Sequence, residues 1–222
     1  FSDEYGAELN YEIDTWNTAA ISHVWVQLLG LRDSNTYIWA YWGNAAVAAG
    51  KVAYTTNGAT YSDGYLGVYH MNEKSVTNAA KKGFDSTAVG NAAGMTNWPG
   101  GKIGNAVRFG GNATYIQTGD IDLTNMTLSA WAYFEDADNW DTLIGKDNSY
   151  LFWKGGGNFV YETAPWSGPA QPPIGTGSWV YLAAVRYNDT TRQELFVNGL
   201  LYSAHYSGGL LTFSDGRTLV IP

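Results

Sequence analysis

The chain has 222 residues, a formal net charge of −8 and a sequence pI of about 4.7, with charged residues making up only 14% of it. An acidic chain repels polyanions, and its 12 Lys and Arg form no cluster that could neutralise several phosphates at once, so nucleic-acid binding is excluded. The absence of Cys removes thiol catalysis, Cys-ligated zinc and disulfides, and the longest apolar runs, near 24–31 and 179–185, are too short to insert this segment into a bilayer.

Gly (27) and the aromatic residues (10 Trp, 16 Tyr, 8 Phe) are abundant, and no long segment repeats apolar residues at a helical spacing, so an all-β fold is expected. Residues 1–50 read as two or three strands, at 8–16, 20–29 and 35–41. The middle one alternates Ile21, His23, Trp25 and Gln27 against Ser22, Val24, Val26 and Leu28, which gives it one packed face. From 51 to 64 the composition turns to Thr, Gly, Ala and Ser with the turn pairs Asn57-Gly58 and Asp63-Gly64, a linker. The second domain, 65–222, opens on Tyr65-Leu-Gly-Val-Tyr-His-Met-Asn-Glu73. Its organising stretch is Thr127-Leu-Ser-Ala-Trp-Ala-Tyr-Phe134, whose alternating apolar residues can be covered on both sides and so predict a central strand. Strands are also predicted at 115–118, 142–146, 150–154 and 158–161, the last two joined by Gly155-Gly156-Gly157. The run Trp179-Val-Tyr-Leu-Ala-Ala-Val185 follows, then a hairpin through Asn198-Gly199, a pair suited to positive φ.

The order T-L-S-A-W, W-V-Y-L-A-A-V, L-F-V-N-G resembles the laminin G-like, concanavalin A-type jelly roll, and G-V-Y-H-M-N-E looks like that family's first strand. The segment E-L-N-Y-E-I-D-T-W-N with V-W-V-Q-L and T-Y-I-W-A-Y-W-G-N resembles part of a domain of unassigned function that often precedes laminin G-like domains in prokaryotic surface proteins. The resemblance implies a sandwich of two antiparallel sheets behind a short N-terminal β-segment. It also implies an extracellular or cell-surface location. The family's last strand, of the type F-x-G-x-I-D-E-V-R-I-Y, has no match, so the jelly roll is expected to lack it, and Phe1 in place of an initiator Met is expected of a processed or excised segment. The function implied is a non-catalytic binding or adhesion module for a polysaccharide or glycoconjugate. The alternative is a structural subunit of a surface layer or fibre that contacts copies of itself or neighbouring domains by strand donation.

Glu12-Ile-Asp14 resembles the E-I-D-x-E and E-I-D-x-x-E strands of concanavalin A-type glucanases, where alternate carboxylates serve as nucleophile and acid/base. Here Trp16 and Asn17 stand where the third carboxylate is needed, and neither an indole nor an amide can donate and recover a proton, so an enzyme is disfavoured. His23, His70 and His205 lack metal-ligand spacing and read as structural histidines. The acids Glu135, Asp136, Asp138 and Asp141, and Asp85 by family position, are the oxygen donors available to calcium, with Asp85 the preferred ligand. For the glycan, Trp140 flanked by Asp138 and Asn139 is the expected stacking site, with Trp166 next and Trp98 a further loop indole. Three sequons, at Asn112, Asn125 and Asn188, are candidate glycosylation sites.

Overall fold

The computed structural model of the protein describes residues 1–44, 46, 57–61, 64–72, 78–80, 84–85, 88–111, 113–136, 141–146, 149–163, 168–206 and 220–221. The chain divides into two compact units, Phe1–Asp85 with Asn97–Val107, and Ser86–Thr96 with Arg108–Pro222. Among the described residues the regular structure is β apart from a 3-10 turn at Ala92–Gly94, and no helix is long and apolar enough to cross a membrane.

The first unit carries β1 (Ser2–Asp3), β2 (Tyr11–Thr15), β3 (His23–Val26) and β4 (Ile38–Trp39). β1 pairs with β4 and β2 with β3, both antiparallel. Tyr11 and Ile13 face Val26 and Val24 across the β2–β3 pair, so these four share one side and Glu12 and Trp25 the other. The register slips between Ile13 and Thr15, leaving Asp14 as the extra residue of a bulge. Residues 65–72, expected as the first strand of the jelly roll, form no strand and belong to this unit. The reason is a side chain: Asn78 accepts the Val68 N–H and donates to the Leu66 carbonyl, and Ala79 N–H donates to the Val68 carbonyl. Those backbone groups are therefore satisfied without a sheet neighbour.

Next in the chain come β5 (Ala88–Gly90), which belongs to the second unit, and β6 (Met95–Trp98) and β7 (Ala106–Phe109), which pair with each other. The second unit continues with β8 (Tyr115–Gln117), β9 (Met126–Tyr133), β10 (Asp141–Lys146), β11 (Tyr150–Gly155), β12 (Asn158–Thr163), β13 (Trp179–Tyr187), β14 (Arg192–Val197), β15 (Leu200–Tyr206) and β16 (Val220–Ile221). They form a four-stranded sheet in the order β15-β14-β13-β9 and a six-stranded sheet in the order β12-β11-β10-β16-β8-β5. Both tight hairpins follow from their turn residues: Gly156 and Gly157 have φ of 60° and 76°, and Asn198 and Gly199 have 50° and 82°, as a twisted two-residue turn demands.

Two expectations change here. β9 is not central: among the described residues it lies at the edge of its sheet, with Leu128 buried on one side and Trp131 39% exposed on the other. Its outward positions Thr127 and Ser129 are short and exposed, so only one side is packed. Nor does the jelly roll simply stop short of an interior strand. Val220–Ile221 pairs with Gly145 on one side and with Gln117 and Ile116 on the other, which places two residues of the chain itself between β8 and β10.

The sandwich buries Leu128, Leu182, Ala184 and Leu195 from the four-stranded sheet and Tyr150, Phe152, Phe159 and Tyr161 from the six-stranded one. Three cations lie among them. The Lys146 ammonium is held by the carboxylates of Asp120, at 2.5 Å, and Asp122. Lys154 donates to the Asp136 carbonyl at 2.9 Å and lies 5.3 Å from the Phe134 ring, and Arg186 donates to the Thr163 hydroxyl at 3.0 Å. Buried charge of this kind persists only with close partners.

Candidate functional site

Within the first unit the structure gathers three residues singled out in the sequence. Glu12 and Asp14 meet His70 and Asn72, 58 positions further along the chain. His70 Nε2 lies 3.3 Å from Glu12 Oε2 and 3.3 Å from the Tyr61 hydroxyl. A carboxylate only accepts, so the His70–Glu12 contact puts the proton on Nε2. Asp14 accepts from Asn72 Nδ2 at 2.7 Å and from the Trp25 indole N–H at 3.2 Å, and the Trp25 ring stacks on His70 with centroids 5.2 Å apart and planes 15° from parallel. Between His70 and Asn72, Met71 has a φ of 57°, a left-handed conformation of a non-glycine residue that the surrounding contacts must maintain. Both carboxylates are occupied by donors, and Trp16 and Asn17 are exposed. The arrangement is a clasp between the β2–β3 hairpin and Tyr61, His70 and Asn72.

Burial, followed by the charge of Glu12 and the hydrogen bond to it, holds the Tyr61 hydroxyl well above the ordinary tyrosine value of 10.0. In the second unit, burial likewise raises Tyr161, against the opposing pull of the nearby Arg186. In each case the folded chain holds the proton more tightly than the unfolded chain does. The contribution to stability is complete below pH 10.0 and is lost as pH rises above it. Stability measured by urea unfolding is therefore expected to fall steeply above pH 10, and less steeply in Tyr61→Phe; identical slopes would assign the alkaline loss elsewhere.

In the second unit the register of the four-stranded sheet fixes a different surface. Trp131 lies opposite Tyr181 and Tyr133 opposite Trp179, so all four rings stand on the side of β9 and β13 that faces away from the sandwich interior. Their centroids are 5.3 Å apart in the first pair and 5.6 Å in the second. Further along the same side, Val185 lies opposite Glu194 and Tyr187 opposite Arg192, which in turn lies opposite Tyr206. The Glu194 carboxylate binds the Arg192 guanidinium and accepts the Tyr187 hydroxyl at 3.3 Å. This row of aromatic residues was not recognised from sequence as a site, although alternate positions of two predicted strands supply it.

Trp140, Asp138, Asn139, Trp166 and Asn112 lie outside the described residues. Asp85 is exposed and accepts the Asn78 N–H at 2.9 Å. Glu135 forms a paired contact with Arg108, with N–O distances of 2.7 and 2.6 Å, and Asp141 lies 3.7 Å from Lys154. Among the described residues no three His, Cys, Asp or Glu gather in a way that could hold a metal ion. His23 lies on β3 and His205 on β15, each half-buried. Trp98, expected in a loop, ends β6, and its indole nitrogen lies close to Gly100, where a side chain would meet it at 3.0 Å. Asn125 is exposed, with its Oδ1 accepting the Asn188 N–H at 2.7 Å, while Asn188 is half-buried.

Comparison with known proteins places these surfaces in context. A family model described as the concanavalin A-like lectin/glucanases superfamily matches residues 109–222, just over half of the chain and nearly coincident with Arg108–Pro222 of the second unit. Among solved structures, the fold is similar to the binding domain of Botulinum Neurotoxin DC in complex with SialylT. That likeness has a TM-score of 0.49 at 11% identity and covers 72% of this chain and 43% of that one, so the chain spans less than half of its length. No curated protein matches the sequence.

Proposed function

We propose that this chain, which belongs to the concanavalin A-like lectin/glucanases superfamily, is an extracellular, non-catalytic module that binds glycan on the outward face of its four-stranded sheet. The observation that supports this most is the paired row Trp131–Tyr181 and Tyr133–Trp179 on one side of β9 and β13. Sugars present flat C–H faces that stack on aromatic rings, and a sheet holds such rings rigid and in register, so little ordering entropy opposes binding. The non-catalytic part is supported by the clasp in the first unit. Both carboxylates of the Glu12-Ile-Asp14 motif already accept hydrogen bonds from neighbouring side chains, Glu12 from His70 and Asp14 from Trp25 and Asn72.

Titration of Trp fluorescence with a panel of soluble polysaccharides is expected to show binding that Trp131→Ala weakens about tenfold, a loss of roughly one stacked ring. A panel without a single binder would end the glycan reading. New reducing ends released from any of them, and absent in Glu12→Gln, would end the non-catalytic one.

A second reading, an assembling structural subunit, has its own observation. At the tip of the β14–β15 hairpin Leu200, Leu201 and Tyr202 are 75%, 51% and 50% exposed, on the strand that ends the four-stranded sheet among the described residues. An apolar sheet edge of this kind invites pairing with another chain. Concentration-dependent sedimentation abolished by Leu200→Lys would favour it.

A further inference from the structure

We propose that the ligand of the sheet face is a neutral polysaccharide bound along the interior of its chain, laid parallel to β13, with its direction set by Arg192 at the end remote from Trp131. The inference rests on the glycan reading above and adds the class of ligand and the residue that reads it. Along β13, Tyr181 belongs to the stacking end and Val185 and Tyr187 to the other, a separation of four to six residues. At about 3.4 Å per residue this is roughly 14–20 Å, more than one pyranose ring can cover. The floor between the two ends is Ala183 and Val185 on β13, with the exposed hydroxyl residues Ser129 and Thr127 opposite them on β9 and the half-buried ring of Phe196 opposite Ala183 on β14. That shape suits an extended chain better than a single terminal sugar.

Arg192 supplies the far end. Its guanidinium lies 6.0 Å from the Tyr187 ring centroid and is held by Glu194, a carboxylate that is itself only 7% exposed. Glu194 is thus a positioning residue, fixing a planar donor that remains 39% exposed at its side chain. The Arg192 Nε–H is buried and Glu194 holds Nη2, so the outward donors are those of the Nη end, which can offer parallel N–H groups to two adjacent hydroxyls of a sugar ring and so discriminate the two directions of the chain. Charge selects the neutral class: Glu194 already offsets the cation, and the net charge of −8 opposes an acidic polymer.

The test is calorimetric titration of the full chain with gluco-, xylo- and manno-oligosaccharides from disaccharide to hexasaccharide, and with polygalacturonate. For the series that binds, affinity is expected to rise at least about tenfold between disaccharide and tetrasaccharide and then level off. Arg192→Ala should lose about tenfold on the hexasaccharide and nothing on the disaccharide, and Arg192→Lys should lose nearly as much, because the charge is kept and the fork is not. Glu194→Gln should reproduce the loss in weaker form with an unchanged melting temperature. Affinity independent of length, or equal in the parent and Arg192→Ala, overturns the proposal and leaves the glycan reading standing. Tighter binding of polygalacturonate than of any neutral chain overturns the neutral class. Binding of none of these sugars by the parent chain removes both.

Discussion

Phe152→Ala is expected to lower the unfolding free energy by about 3–5 kcal/mol in urea, the range for deleting a fully buried aromatic side chain. Phe152 is 0% exposed, its ring centroid lies 4.4 Å from that of Phe159 and 6.2 Å from that of Tyr161, and both contacts are edge-on, at 82° and 77°. Register sets this cluster: Phe152 faces Tyr161 across the β11–β12 hairpin, and Lys154 faces Phe159 two residues on. Neither neighbouring ring can close the space without giving up the geometry that edge-on pairs prefer. A loss below about 1 kcal/mol would mean that the six-stranded sheet contributes little to holding the aromatic face opposite it.

Asp14→Ala carries the second large effect. It removes the acceptor of the Trp25 indole N–H and of one Asn72 N–H at once, and each half-buried donor left unmet costs about 1–3 kcal/mol, so a total of about 2–4 kcal/mol is expected. A double-mutant cycle with Asn72→Ala should show that part of the loss is shared between the two residues. Affinity for polysaccharide, measured well below the melting temperature, should not change. An unchanged stability together with a lost activity would reverse the assignment of this acid from clasp to chemistry.

The pattern of the second unit was legible where one short-range rule settles it. T-L-S-A-W alternates, W-V-Y-L-A-A-V is a short continuous apolar run, and they form β9 and β13, while the Asn198-Gly199 and Gly156-Gly157 turns carry their φ angles in their composition. Where a distant side chain takes over a backbone group, the local reading failed. Residues 65–72 look like a strand, yet Asn78 satisfies the polar groups at Leu66 and Val68, and His70 and Asn72 are drawn to Glu12 and Asp14. The glucanase-like motif lacks a third carboxylate, but nothing local tells that its two acids meet Tyr61, His70 and Asn72. The aromatic face was hidden for a related reason. Trp131, Tyr181 and Arg192 are individually ordinary, and only the cross-strand register, a property of three strands together, sets them on one side. The loop indoles Trp140 and Trp166 drew attention because they stand alone in polar sequence, whereas paired rings on strands read as packing.

The two-residue strand β16 carries a consequence for how the protein reaches its fold during synthesis. Gly145 and Ile116 are translated long before Val220 and Ile221, the residues that join β10 to β8. The hairpins β10–β11–β12 and β13–β14–β15 need only near neighbours and can form as they emerge, in microseconds. Closure between β8 and β10 must wait until residues 220 and 221 have been made and then overcome the loop entropy of the longest pairing in the sheet. A nascent chain halted before residue 220 should accordingly hold folded hairpins and an open seam, and on the ribosome it is this seam that a chaperone would be expected to meet.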